Sequence, residues 1–178
     1  MKPSLITIGI MMVSLAVSST AYSNGDRGGL KFNSNLSGAQ EVVFDGMGDF
    51  VPGGVDTDAT GKIHAKFDKA LTEVAVNLRI QDLTGVFAAA HFHCGRPGQN
   101  GPVSFGLVNP GPLAFDGQRV RGTLTNTDFT GADCLPVIGR PVNNIAALAF
   151  AMRDGLIYVN VHSTDFPPGE IRGQMIGD

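Results

Sequence analysis

Residues 71–81 read LTEVAVNLRIQ, with Val74, Val76, Leu78 and Ile80 on one parity and Glu73, Asn77 and Arg79 on the other. Successive side chains of an extended chain point to opposite faces, so the stretch predicts a strand with one buried and one wet face. The same period recurs on either side. In 61–68, Ile63, Ala65 and Phe67 turn inward while Lys62, His64, Lys66 and Asp68 turn out. Residues 30–36 form a plausible first strand. Val103, Phe105 and Leu107 alternate after the Asn100-Gly101-Pro102 turn, and Val120 and Leu124 alternate more weakly within 119–126. Near the end, 156–163 and 170–175 flank Thr164-Asp165-Phe166-Pro167-Pro168-Gly169, a Pro/Gly loop that signals a hairpin. Its core face carries Val159, Val161, Ile171, Gly173 and Met175. Its other face carries Tyr158, Asn160, His162, Glu170, Arg172 and Gln174.

One stretch departs from the period. Residues 144–153, NIAALAFAMR, are rich in Ala, Leu and Met and predict a short helix ended by Asp154-Gly155, with a buried strand as the competing reading. Residues 40–60, rich in Gly, Asp and Pro, read as a long loop.

Composition agrees with a turn-rich β fold. The chain has 178 residues, enough for one domain or two very small ones. With 43% hydrophobic and 16% charged residues it is not a disordered chain. Gly and Pro, 24 and 10 residues, exceed average usage and disfavour long helical bundles. The net charge of −3, with no basic run, argues against a general nucleic-acid binder.

The N-terminus reads as an address. Lys2 precedes an apolar run from Leu5 to Val17, which is short of the ~20 residues that a membrane span needs. Ser19-Thr20-Ala21 and Ala21-Tyr22-Ser23 place small residues where a signal peptidase reads. Residues 1–23 are therefore expected to be a cleaved signal peptide, with an uncleaved anchor as the alternative. A short segment, 24–29, and a single domain, 30–178, follow. The expected product is secreted or periplasmic, with no membrane span after cleavage. In an oxidising compartment the two cysteines, Cys94 and Cys134, predict one disulfide closing a loop of about 40 residues. The alternative is that Cys94, next to His93, ligates a metal.

His91 and His93 lie in Ala90-His91-Phe92-His93-Cys94-Gly95. On a strand this spacing puts both imidazoles on one face, about 6.6–6.8 Å apart, with Ala90, Phe92 and Cys94 on the other. Neutral imidazoles suit Zn, Cu, Fe or Ni. His162 is the candidate third ligand, from a different strand. The competing reading is a cross-strand hydrogen-bond network. His64, among Lys62, Lys66 and Asp68, reads as a solvated residue. Glu170 and Arg172 share a strand face with Asn160. Their spacing permits an ion pair, a clamp on a ligand carboxylate, or a structural pair on a solvated face. No Ser–His–Asp order, nucleotide-binding Gly loop or CxxC motif is present.

Five blocks occur in order: Leu36-Ser37-Gly38-Ala39-Gln40-Glu41-Val42; Ala90-His91-Phe92-His93-Cys94-Gly95; Asn100-Gly101-Pro102-Val103; Tyr158-Val159-Asn160-Val161-His162-Ser163; and Pro168-Gly169-Glu170-Ile171-Arg172-Gly173-Gln174. Over about residues 30–176 the chain resembles the CHRD domain, named after chordin and found also in exported microbial proteins. It departs from the family pattern in an inserted loop over 43–56, whose role is open. The resemblance implies an all-β fold, an antiparallel β-sandwich of Greek-key type with one short helix, and a place outside the cytoplasm. The growth-factor binding of chordin does not transfer to a single exported domain. The His-x-His strand is also distantly similar to the copper strand of Cu/Zn superoxide dismutase, an analogy of fold that does not give function.

Three functions are weighed, the first foremost. The first is a non-enzymatic binding or structural module that can hold one Cu or Zn ion through His91, His93 and His162. The second is a small copper-dependent redox enzyme of superoxide-dismutase type. The third is a metal-free adhesion module for an unknown protein or surface partner.

Overall fold

The alternating stretches become the strands of one antiparallel sheet. In a computed structural model, residues 29–44 and 50–178 are described, and the expected signal peptide lies outside them. The strands are β1 (Lys31–Ser37), β2 (Val42–Phe44), β3 (Phe50–Pro52), β4 (Thr60–Phe67), β5 (Glu73–Gln81), β6 (Phe87–Cys94), β7 (Val103–Val108), β8 (Ala114–Phe115), β9 (Arg119–Thr125), β10 (Ile157–Ser163), β11 (Ile171–Gln174) and β12 (Ile176–Gly177). The main sheet runs β7-β6-β10-β11-β1-β4-β5-β9-β8, with β12 paired to β1. It curls into a nearly closed barrel or sandwich, as bridges Phe105–Phe129 and Val108–Pro112 draw the end strands together. The all-β antiparallel class expected from the sequence is what the chain adopts.

The sheet has two unlike halves. From Lys62 onward in β4, and throughout β5, every second residue is buried and the alternate ones are exposed, as the sequence period requires. In β6, β10 and β11 nearly every residue is buried, on both faces. The inner face of these strands holds Phe92, Cys94, Val159, Val161 and Ile171 in the common core. The outer face holds His91, His93, Tyr158, Asn160 and Arg172, roofed by loops. The face expected to be solvated is therefore closed: Glu170 is 0% exposed and Arg172 1%.

The helix expected over 144–153 is present as α2 (Ile145–Arg153), and a one-turn helix, α1 (Leu135–Ile138), precedes it. The Asn144 side chain caps α2 by accepting from the Ala147 amide at 2.8 Å. Ile145, Leu148, Ala149 and Met152 form its buried face. The loop reading of 40–60 needs correction. A 3-10 turn occupies Gly38–Gln40, and β2 and β3 pair as a small separate sheet. The β-forming residues Val42, Val43, Phe44, Phe50 and Val51 outweigh the Gly and Asp around them. Cys94 and Cys134 form the expected disulfide, both fully buried, with Cα atoms 5.8 Å apart.

Candidate metal centre

Neighbouring strands β6 and β10 supply the three imidazoles. Their register pairs Asn160 with His91, Tyr158 with His93 and Ala89 with His162, so His162 sits diagonally across from His91. The outward parity of His91 and His93 follows from Phe92 and Cys94 turning into the core. Ring centroids lie 5.6 Å apart for His91–His93, 5.0 Å for His91–His162 and 6.2 Å for His93–His162. One nitrogen from each ring lies within 4.8 Å of the other two. His91 and His93 are 7% and 9% exposed, and His162 is half-buried.

Each ring is also held by a backbone carbonyl. His91 Nε2 lies 3.0 Å from the Asn109 oxygen, His93 Nδ1 2.9 Å from the Gly101 oxygen, and His162 Nδ1 2.9 Å from the Pro167 oxygen. A carbonyl only accepts, so these three nitrogens carry the protons. The remaining lone pairs are His91 Nδ1, His93 Nε2 and His162 Nε2. His93 Nε2 is buried with no hydrogen-bond partner among the described residues. His91 Nδ1 faces His162 Nε2 at 3.2 Å. Two neutral imidazoles carry two N–H groups, and both are already spent on carbonyls. Two lone pairs at that separation repel unless a proton or another cation lies between them.

An added proton is opposed by the surroundings. Burial lowers the pKa of His93 to about 4, outweighing the Gly101 carbonyl, and His91, His162 and Arg172 lower it further. Burial also lowers His91, against the pull of the Asn109 carbonyl, and His162, against that of the Pro167 carbonyl. Three imidazole nitrogens at ~2.0–2.1 Å from one ion in a tetrahedral or trigonal array lie about 3.3–3.6 Å apart. The 3.2 Å pair fits as it stands, and a pair at the 4.8 Å limit must draw in by about 1.2–1.5 Å.

A buried polar layer fixes the rings. His93 stacks on Tyr158 with centroids 4.9 Å apart and planes 12° from parallel, and the Arg172 guanidinium lies 3.4 Å from the Tyr158 centroid. Arg172 donates to the Arg96 and Gln99 carbonyls at 3.0 and 2.8 Å and to Asn100 Oδ1 at 3.1 Å. The Gly101 amide donates to the Tyr158 hydroxyl at 3.3 Å. Arg172 and Tyr158 thus hold the loop whose Gly101 carbonyl sets the His93 tautomer, the kind of outer support that metal-ligating histidines use.

Glu170 and Arg172 do not pair with each other. Glu170 Oε1 accepts from the Thr57 hydroxyl and the Thr84 amide, both at 2.8 Å. Burial would raise its carboxyl, but bonds from Ser163, Thr84 and Thr57 bring it below the usual range. Asn160 Nδ2 donates to Glu41 Oε2 at 3.3 Å. Burial raises the Glu41 carboxyl to about 7, against the charge of Arg172 and the bonds from Val42 and Asn160. Asn160, Glu170 and Arg172 make no hydrogen bond to the three imidazoles among the described residues, and they serve as scaffold around them. Glu41 is the buried member that sequence reasoning passed over, although it stands in the first of the five blocks.

The structure leaves the other candidates outside the cluster. Cys94 is oxidised and faces the core, so it supplies no thiolate. His64 is exposed on β4 and hydrogen-bonds Asn33. Comparison with curated proteins and with solved structures returned no match. The family model of the CHRD domain matches residues 32–175, most of the chain and all the residues of the site, and the protein belongs to the CHRD domain family.

Proposed function

We propose that this CHRD domain is an exported binding module that holds one transition metal ion, copper or zinc, through His91, His93 and His162. The observation that carries the reading is the pattern of protons. Three rings spend their N–H groups on three separate backbone carbonyls, the free lone pairs of His91 and His162 face each other at 3.2 Å, and that of His93 is buried without a partner in the same cluster. A hydrogen-bond network would place a proton between His91 and His162, whereas a metal centre needs lone pairs there. The buried disulfide supports export, because such bonds persist in oxidising compartments.

Metal content and thermal melting of the purified protein test the proposal. A ligand that binds only the folded state raises the midpoint, by about 5–10 °C at a hundredfold excess over Kd for a chain of this size. Wild type is expected to carry metal or to respond to added Cu2+ or Zn2+, and His93→Ala is expected to lose the response. Equal, metal-independent melting of both proteins overturns the site and leaves the histidines a structural network.

A further inference from the structure

We infer that the three-histidine site is built for a monovalent soft cation, Cu+, in preference to Zn2+ or Cu2+. The inference rests on the metal reading above and adds the charge of the ion. Imidazole donors alone do not choose among copper and zinc, so the choice falls to electrostatics. All three donors are neutral. Each ring's second nitrogen is held as N–H against a carbonyl, so no ring is free to become an imidazolate. The ion must therefore bring its whole charge into the protein.

Among the described residues no carboxylate is hydrogen-bonded to any of the three rings. The cation beside the site is Arg172, whose guanidinium lies 3.4 Å from the centroid of the Tyr158 ring that stacks on His93. Glu41 is hydrogen-bonded to Asn160 and not to an imidazole. The cysteine sulfurs are oxidised on the far side of the sheet. The cost of moving an ion from water into a buried site rises with the square of its charge, so a dication pays about four times the penalty of a monocation. Repulsion from Arg172 doubles as well. Zn2+ also takes four ligands, so beside the three imidazoles it must keep a bound water.

The test compares cations on the intact protein under anaerobic conditions. One equivalent of Cu+, kept reduced with hydroxylamine so that the disulfide survives, is set against Ag+, Zn2+ and Cu2+. Affinities come from competition with chromophoric chelators and stability from melting. Cu+ is expected to bind at least about a hundredfold more tightly than Zn2+. Ag+, which is redox-silent, is expected to raise the midpoint more than either dication. His162→Gln, at the half-exposed edge where folding is safest, removes the preference and separates the imidazoles from methionine sulfurs. His91→Gln repeats the test if that variant melts abnormally without metal. If Zn2+ or Cu2+ binds as tightly as Cu+, the charge argument falls while the metal site stands. If no cation binds in a His162-dependent way, the metal site falls with it.

Discussion

Glu41 shows how one side chain shapes the pH response of the whole protein. Its carboxyl is buried and raised from 4.5 to about 7, so the folded state holds a proton that the unfolded chain has released. That contribution is complete below about pH 4.5 and is lost as pH rises toward 7. His93 acts in the opposite sense. Its pKa falls from 6.5 to about 4, so its contribution is complete above about pH 6.5 and is lost as pH falls toward 4. Glu41→Gln keeps the shape and removes the titration. Relative to wild type, the variant is expected to gain stability between pH 4.5 and 7, by up to about 3 kcal/mol. Urea unfolding at pH 5 and pH 7.5 checks this. A constant difference between the two proteins at both values would show that Glu41 does not titrate in this window. The parity of His91, His93 and His162 was legible in the sequence, because each alternates with residues that must be buried. Their partners were not legible. The three acceptors are main-chain oxygens of Gly101, Asn109 and Pro167, and a backbone carbonyl leaves no mark on residue type.

At the scale of elements, alternation told the truth where one face meets water and misled where neither does. In β5 the pattern EVAVNLRIQ maps directly onto exposed and buried positions. In β10 the pattern IYVNVHS alternates equally well, yet Tyr158, Asn160 and Arg172 opposite it are buried under loops from distant parts of the chain. A two-residue period separates the faces of a strand but does not say which face is covered. The helix α2 was legible from its Ala- and Leu-rich run, and its cap gives a direct check. Asn144→Ala removes the acceptor for the Ala147 amide and is expected to cost about 1 kcal/mol, read as a lower urea midpoint with unchanged slope. The β2–β3 pair was hidden because strands of three residues are too short to show a period.

For the whole molecule, the Cys94–Cys134 bond ties the end of β6, the strand of the histidine pair, to the start of α1. Replacing both cysteines with alanine is expected to lower stability by roughly 2–4 kcal/mol, because the closed loop of about 40 residues then adds freedom to the unfolded chain. Differential scanning calorimetry measures it, and a loss below about 1 kcal/mol would show that the crosslink adds little. The packing of Tyr158 between sheet and roof has an optical consequence. The chain contains no Trp and two Tyr, Tyr22 and Tyr158. In a chain without residues 1–23, light too long in wavelength for phenylalanine excites one phenol alone, the one stacked on His93. A paramagnetic Cu2+ ion on that imidazole quenches it, while the closed-shell ions Zn2+ and Ag+ lack that paramagnetic route. If the site holds copper as proposed, loss of this emission marks the Cu2+ form and its return marks reduction to a closed-shell ion.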